Sequence, residues 1–425
     1  MSFSTTTSLT RMSRLRLRSQ IGLTCTYTYR YRLLCRHSEI PLCCRRNFGI
    51  GTSRTSATNA LLADYSMKKA RPGTIQQMIA MSKEKNRVHV APELQQELLV
   101  RIAHRYRDFS ELPTALKNTR PLQQIIETYY DAFRSLGILE LDCESDRDFV
   151  RLISEFKAKD STTLPRIALG IKEWQSNFQS RNQDQGRVNL ELAAQLDDLF
   201  TARLSIRMLI GQFCEYDGQS RGRIKRGLVV ADVAKEAAER AAAMCRDRFN
   251  VCPDIVIEGN TDFKLTYVRS HLHHILFELL KNSARAVVDQ HLGATGAERR
   301  KRLRLSSKGH LGSNGLPPVH VVIAGGKEDC VVKVSDEGGG IPRSGLAKIW
   351  SYQYTTAADD DKAKTAQEQT FRDNFYGVGY GLPIARVFAR YFGGELKIIS
   401  TEGWGTDAYI YINRLESAAL EVLPD

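Results

Sequence analysis

Residues 271–286 read His-Leu-His-His-Ile-Leu-Phe-Glu-Leu-Leu-Lys-Asn-Ser-Ala-Arg-Ala, the stretch that most constrains the fold. Its apolar residues recur at spacings of three and four, which predicts an amphipathic helix. Glu278 and Asn282 share the other face, and Arg285 lies one turn further on. Such a face can hold a divalent cation and phosphate oxygens, with the acid free to act as a base. The plainer alternative is a solvated face on which Glu278 and Lys281 form a helical ion pair.

A second motif consists of an acid and glycines that follow a predicted strand. The strand Cys330–Ser335 leads into Asp336, and Gly338 and Gly340 come next. Glycine lets the backbone approach a flat ligand closely, and the acid can accept a hydrogen bond from an exocyclic amine such as that of adenine. Asp and Gly are also common in turns, so a strand-ending turn is the alternative. Thr406, before the last predicted strand, either bonds beside the adenine or satisfies a turn.

Alternate glycines precede another predicted helix, in the run Gly377-Val378-Gly379-Tyr380-Gly381-Leu382. Amide donors at a helix N-terminus suit phosphate, and the glycines would let the loop fold over it. A flexible hinge is the alternative. A dinucleotide-binding fold is excluded, because it needs GxGxxG directly after a first strand.

The chain before these motifs is predicted to be helical. Apolar spacing indicates five helices, which short polar connections would join into an antiparallel bundle of four or five helices. These helices are Glu93–Phe109, Leu122–Leu136, Ser145–Lys159, Pro165–Gln179 and Leu190–Glu215. The glycine-rich basic segment 217–227 is predicted to be a loop or domain boundary.

The second half is predicted to be an α/β sandwich, because hairpins link its later strands. Its predicted helices are Ala231–Phe249, Leu272–Gln290 and Leu382–Tyr391, and its strands are Ile255–Glu258, Val319–Ala324, Cys330–Ser335, Leu396–Ser400 and Asp407–Asn413. Residues 292–318 are basic and then rich in Ser, Gly and Pro, which predicts a disordered insertion. Residues 357–380 form a polar segment that ends in the glycine cluster, and we expect them to be a lid. The predicted domains are therefore 61–225 and 226–425.

The first 60 residues have the composition of a mitochondrial transit peptide. They contain ten Arg, no Lys and one acid, so they contribute +9 of the net charge of +13. Because the rest of the chain carries only +4, nucleic-acid binding is not expected. The chain has no apolar run long enough for a membrane-spanning helix, so membrane insertion is not expected either. We predict a disordered, cleaved segment 1–60 and a mature protein in the mitochondrial matrix; a basic disordered tail is the alternative.

The order of these motifs resembles the nucleotide site of the GHKL ATPase superfamily. The amino-acid sequence of several segments resembles more closely the mitochondrial kinases that phosphorylate 2-oxo acid dehydrogenase complexes. These kinases form the pyruvate dehydrogenase kinase and branched-chain 2-oxoacid dehydrogenase kinase family. The segments that carry the resemblance are Leu94–Arg105, Arg203–Leu209, His274–Asn282, Ser351–Ala357 and Gly377–Arg386. It implies an α+β fold, with an N-terminal regulatory helical bundle followed by an α/β-sandwich ATP-binding domain.

By this resemblance, the cofactors are ATP and Mg²⁺, and Asn282 is the magnesium ligand. The phosphate pocket would contain Glu278, Lys281 and Arg285, while Asp336 would read adenine. Thr355 and Thr356 would line the pocket, and Gly377–Leu382 would close over the phosphates. The catalytic pair would be Glu278, acting on the substrate hydroxyl, and His274, which at a spacing of four could hydrogen-bond Glu278 and tune its basicity. The resemblance also allows for K⁺ near Ile349–Thr355.

The family phosphorylates a serine on the dehydrogenase E1 α subunit, docks on the lipoyl domain of the E2 acyltransferase core and forms homodimers. This sequence departs from the family pattern where a bundle-loop histidine is usual: residues 157–164 contain none, and Leu99 replaces a usual proline. Two alternatives stay open, a histidine-kinase-like protein and a non-catalytic ATP-dependent docking protein. The substrate complex, pyruvate or branched-chain, also stays open. Ordinary Ser/Thr kinases are excluded because their motifs are missing.

Overall fold

A computed structural model of the chain describes residues 52–83, 87–141, 146–178, 185–215, 222–293, 315–352, 379–414 and 416–424. The chain divides into two compact units, 1–61 and 62–425. Helix α1 (Thr52–Ser66) begins in the first unit, so residues 52–60 are helical rather than disordered as predicted. Its Ala and Leu residues are strong helix formers, so this segment is helical although the residues before it are basic and rich in Ser and Thr. The remainder of the predicted transit peptide lies outside the described residues.

The helical part of the second unit contains all five predicted helices, with each end within six residues of its expected position. The helices are α2 (Ile75–Met81), α3 (Arg87–Glu111), α4 (Thr114–Lys117), α5 (Arg120–Ile138), α6 (Arg147–Asp160), α7 (Thr163–Phe178) and α8 (Gln185–Cys214). Helix α3 starts before Pro92, which therefore lies inside it. Apolar side chains on the facing sides of α3, α5, α6, α7 and α8 are buried together and form the bundle core.

A buried carboxylate fastens three bundle helices together. Asp160, at the end of α6, accepts a hydrogen bond of 2.9 Å from the hydroxyl of Tyr129 on α5. It also forms ion pairs of 3.0 Å with Arg203 and 2.9 Å with Arg207 on α8. These charges lower the pKa of Asp160 although burial opposes the shift. The segment that lacks the family's histidine thus supplies a paired acid to the bundle interior.

The second part of this unit is an α/β sandwich, which confirms the predicted fold class. Its elements are β1 (Ile224–Val229), α9 (Val230–Phe249), β2 (Ile255–Gly259), β3 (Lys264–Val268), α10 (Arg269–Leu292), β4 (Val319–Gly325), β5 (Asp329–Asp336), α11 (Arg343–Leu346), a 3₁₀ turn (Lys348–Trp350), α12 (Gly381–Arg390), β6 (Glu395–Thr401) and β7 (Gly405–Asn413). Five strands form one sheet in the order β2-β4-β5-β7-β6, with β2 parallel to β4 and the other pairs antiparallel. Helices α9, α10 and α12 pack against the sheet.

Two sequence predictions for this part need correction. The expected loop 217–227 overlaps β1, which pairs with the unpredicted strand β3 through Ile224 and Val268. Lys, Arg and Gly occupy the middle of β1 and interrupt its apolar residues, so only its distant partner defines it as a strand. The predicted insertion 292–318 is also too wide, because Leu292 and Leu316 are buried in the core. Residues 294–314 lie outside the described residues.

The C-terminal segment connects the helical and sheet parts through a buried charge network. Glu421 receives two hydrogen bonds from Arg101 of α3, at 2.8 and 2.9 Å, and one of 2.8 Å from the amide of Gly73. The hydroxyl of Tyr391, after α12, donates to the same carboxylate. Arg101 and Glu421 are both 3% exposed, so water screens their attraction little.

Candidate active site

A cavity of about 260 Å³ lies between α10, the end of β5, β7 and the start of α12. It is lined by eleven of the residues singled out in the sequence: Glu278, Lys281, Asn282, Arg285, Asp336, Gly338, Gly340, Gly379, Gly381, Leu382 and Thr406. The described residues alone define this volume. Of the other residues singled out, Thr355, Thr356, Gly377 and Val378 lie outside them. The acid, the amide and the strand-ending acid therefore face one common space.

Helix α10 presents its polar stripe to the cavity because the opposite stripe, with Leu272, Leu276 and Leu280, is buried in the core. Glu278 accepts a hydrogen bond of 2.5 Å from the ammonium group of Lys281. The side chains are only 6% and 10% exposed. The helical ion pair considered as the alternative thus exists, but it lies inside the cavity and not on a solvated face.

Asp336 ends β5 and is held by neighbours from two elements. Its carboxylate accepts hydrogen bonds of 2.6 Å from the hydroxyl of Ser283 on α10 and 2.9 Å from the amide of Gly338. Burial raises the pKa of Asp336, and the bonds from Ser283 and Gly338 oppose the shift. Thr406 lies beside it because the two residues are paired in the register of β5 and β7.

The glycines of the site are required by close packing. A Cβ on Gly381, the first residue of α12, would lie 1.9 Å from Oε2 of Glu278. A Cβ on Gly338 would lie 2.4 Å from that of Ala286, and Gly340 has a φ of 70°. Helix α12 therefore begins directly against Glu278, and the free amide groups of its first turn are near the cavity.

Two residues named from the sequence are placed differently from their expected position. Nε2 of His274 is buried without a hydrogen-bond partner, and the ring packs 4.9 Å from that of Phe388. The expected bond to Glu278 is not formed among the described residues, and Lys281 bonds that carboxylate instead. Burial lowers the pKa of His274, whereas the charge of Glu278 opposes the shift.

Tyr380 does not line the cavity. It is fully buried, with its ring 5.5 Å from that of Tyr352 and 6.4 Å from that of Phe200 in α8. The hydroxyl of Tyr352 also donates to Asp197 of the same helix. The bulk and aromatic character of Tyr380 thus serve the contact between the sheet part and the bundle.

Sequence reasoning missed part of the cavity wall. Ser283 has no recognisable signal, since its partner Asp336 lies 53 positions away. The isoleucines Ile341, Ile349 and Ile398 also line the cavity, and their ordinary apolar character gave no sign of it. They provide an apolar surface next to the buried acid.

The cavity has the chemistry to hold a nucleotide. Isoleucine side chains and an acid suit a flat purine with an exocyclic amine. Lysine, arginine and helix-terminal amides suit phosphates. Among the described residues no three His, Cys, Asp or Glu side chains cluster as a metal site. A magnesium ion here would thus depend on Asn282 and phosphate oxygens, as Mg²⁺ commonly does at phosphate sites.

Known sequence families match both parts of the chain. The family described as mitochondrial branched-chain alpha-ketoacid dehydrogenase kinase matches residues 72–233. The family described as histidine kinase-, DNA gyrase B- and HSP90-like ATPase matches residues 267–416, a range that includes the whole cavity lining. No described helix is both long and apolar enough to cross a membrane.

Similar proteins share most of their length with this chain. A mitochondrial pyruvate dehydrogenase (acetyl-transferring) kinase of Arabidopsis thaliana is 35% identical, over 78% of this chain and 86% of its own length. The corresponding kinase of Drosophila melanogaster is 31% identical over 89% and 90%. Isozyme 3 of Mus musculus is 34% identical over 78% of each. The mitochondrial localisation expected from the sequence is thereby confirmed. The chain therefore belongs to the mitochondrial 2-oxo acid dehydrogenase kinase family, with the ATP-binding fold of the GHKL superfamily.

Proposed function

We propose that this kinase uses ATP and Mg²⁺ to phosphorylate a serine on the E1 α subunit of a 2-oxo acid dehydrogenase complex, and so inactivates the complex. The observation that carries the proposal is the meeting of Glu278, Asn282 and Asp336 around one cavity. Neither a helix face nor a strand-ending acid would alone indicate a nucleotide site. Their convergence, in a chain whose relatives are kinases, supports ATP binding.

In the proposed complex, Asp336 orients the purine. Ser283 and the Gly338 amide each donate to one carboxylate oxygen, which fixes the side chain in place. The oxygen that Ser283 bonds, Oδ2, keeps a lone pair that can accept from the amino group of adenine. Thr406, through its side chain or the neighbouring backbone, would form a further hydrogen bond beside the purine. The isoleucine side chains that line the cavity would exclude water from it.

The phosphates would lie along α10 and the start of α12. Lys281 and Arg285 supply positive charge, and the first amides of α12 supply donors. Asn282 would hold Mg²⁺, which when bound neutralises charge on the phosphate oxygens. The segment with Thr355, Thr356, Gly377 and Val378 would complete this wall, and K⁺ near Ile349–Thr355 is part of the same proposal.

Glu278 would orient the serine hydroxyl and take its proton as the phosphate bond forms. Lys281 bonds this carboxylate at 2.5 Å. We propose that the lysine turns to the phosphates when ATP is present, since it can reach either anion from the same helix turn. A rotation of His274 toward Glu278 would then add the expected positioning bond.

The E1 substrate is either of two complexes. The curated relatives are named pyruvate dehydrogenase kinases, whereas the match over residues 72–233 is described by the branched-chain complex. Incubation with radiolabelled ATP and each purified complex separates them. Label on an α-subunit serine of one complex supports the proposal, whereas label kept on histidine of the kinase, or ATP binding without transfer, contradicts it.

We further propose a homodimer and docking on a lipoyl domain of the E2 core. Residues on the sheet face opposite the helices are at least partly exposed and include apolar side chains. Ile399 is 61% exposed and Val256 39%, while Tyr409 and Tyr411 stack at 6.5 Å. A half-apolar sheet face of this kind is well suited to a second copy of the chain. Sedimentation of the wild type against Ile399→Lys tests the dimer.

A further inference from the structure

A second cavity, of about 650 Å³, opens beside the N-terminal end of α10. It is formed by β1, α9 and the first turn of α10, and it does not share any residue with the candidate active site. Four basic side chains line it: Arg223, Lys225, Arg240 and Arg269. No step of the proposed phosphoryl transfer uses them.

Positive charge exceeds negative charge in this second cavity. Two carboxylates, Glu215 and Glu236, also line it. Glu215 forms ion pairs with both Lys157 of α6 and Arg223. Glu236 pairs with Arg269. The lining therefore retains a net positive charge toward the solvent.

Arg240 is the side chain best placed to meet a ligand. It is exposed on α9, and its guanidinium group lies 5.0 Å from the ring centre of Phe277. Among the described residues it forms no ion pair. Burial lowers the pKa of the neighbouring His273; the charge of Glu236 opposes this shift, and the charges of Arg240 and Arg269 add to it.

A continuous strip of side chains connects the second cavity to Glu278. The ammonium group of Lys281 lies 5.4 Å from the centre of the same Phe277 ring, and it donates a hydrogen bond to Glu278. His273 and Ser270 continue the strip along α10 into the second cavity. With a rise of 1.5 Å per residue, His273 and Ser270 lie about 7 to 12 Å from Glu278 along the helix.

We propose that the second cavity binds acidic side chains that flank the phosphorylated serine of the protein substrate. This proposal rests on the proposed kinase function. An extended peptide covers about 3.3 Å per residue, so a serine at Glu278 would bring a residue two to four positions away into the cavity. The cations then select an Asp or Glu at that position, which makes the cavity a specificity site and not part of the chemistry.

The modest excess of charge favours a carboxylate peptide as the occupant. A polyanion such as nucleic acid would need a long basic surface, and here Glu215 and Glu236 interrupt the positive charge. A peptide with one or two carboxylates meets less of this repulsion than a polyanion does. Recognition would rest on Arg240, with Lys225 and Arg269 supporting it.

The test uses the full-length kinase and synthetic peptides with one serine, in which a single Asp is moved through the flanking positions. We expect kcat/KM to be highest when the Asp lies two to four residues from the serine on one side. Arg240→Glu should lower kcat/KM for that peptide by about fivefold to tenfold, because one attraction is lost and one repulsion is gained. The loss should appear in KM, and a peptide with Lys at the same position should gain.

The matched control is Arg246→Glu, which changes an exposed arginine of the same helix that lines neither cavity. It should leave all peptides unaffected, and ADP binding to both variants verifies that they are folded. If wild type and Arg240→Glu phosphorylate the acidic and neutral peptides at equal kcat/KM, the acidic subsite is wrong while the kinase function stands. If the wild type binds ATP but phosphorylates no peptide and no dehydrogenase complex, both proposals fail.

Discussion

Replacing Asp336 by asparagine isolates the proposed recognition of the purine ring. Asparagine has nearly the same shape, and its carbonyl can still accept from the Gly338 amide while its NH₂ group donates to the Ser283 hydroxyl. The folded structure should therefore persist. Because burial raises the pKa of Asp336, the charged form is costly to bury, and a neutral amide removes that cost.

The change should weaken nucleotide binding strongly. The carboxylate is 7% exposed, so its bond to an adenine amino group would be poorly screened. A hydrogen bond to a charged group contributes about 1.5–3 kcal/mol. In Asp336→Asn, an NH₂ group would replace the accepting carboxylate oxygen and would face the amino group of adenine, which is also a donor. The loss of this bond should weaken ADP binding by about 10- to 150-fold.

Titration calorimetry with ADP and with inosine diphosphate provides the assay. Inosine carries an oxygen in place of the amino group, so it should bind Asp336→Asn more tightly than it binds the wild type. The control is the thermal unfolding of both proteins without nucleotide, which should be similar. Equal ADP affinity in the variant and the wild type, with the fold intact, would refute the assignment of Asp336 to the purine.

Three further perturbations test other parts of the structure. Glu278→Gln should lower kcat by about 10²- to 10⁴-fold without weakening ATP binding, because it removes the anion that competes with the phosphates for Lys281; a near wild-type rate in single-turnover assays would remove the base role. Glu421→Ala leaves Arg101 buried without its main partner and should lower the free energy of unfolding by about 3–5 kcal/mol in denaturant titrations. Its control, Glu416→Ala at a partly exposed ion pair, should cost less than about 1 kcal/mol, and equal losses would contradict the stabilising role of the buried network. Burial lowers the pKa of His271 well below its ordinary value, so the unfolded chain binds more protons below about pH 6.5 and stability should fall as pH falls; His271→Phe should reduce that slope, and an unchanged slope would assign it to other groups.

The sequence predicted the features that depend on residues near one another in the chain. Glu278 and Asn282 share a face because four residues make about one helical turn, whatever the rest of the protein does. The five bundle helices and the strands of the main sheet follow from the spacing of apolar residues in the same way. The tendency of Asp336 to end a strand is likewise local. These features sufficed to indicate a nucleotide site and its family.

Partners that are distant in sequence could not be predicted in this way. Ser283 meets Asp336 only because α10 packs on β5, and Thr406 meets it only through the register of β5 and β7. The basic strand β1 exists because β3 pairs with it. Arg101 meets Glu421 across 320 positions. Hydrophobic burial drives the chain to compact, but many pairings satisfy it equally, and only the packing of the complete chain decides among them. The sequence therefore determined which groups could do the chemistry, and the tertiary structure decided which of them meet.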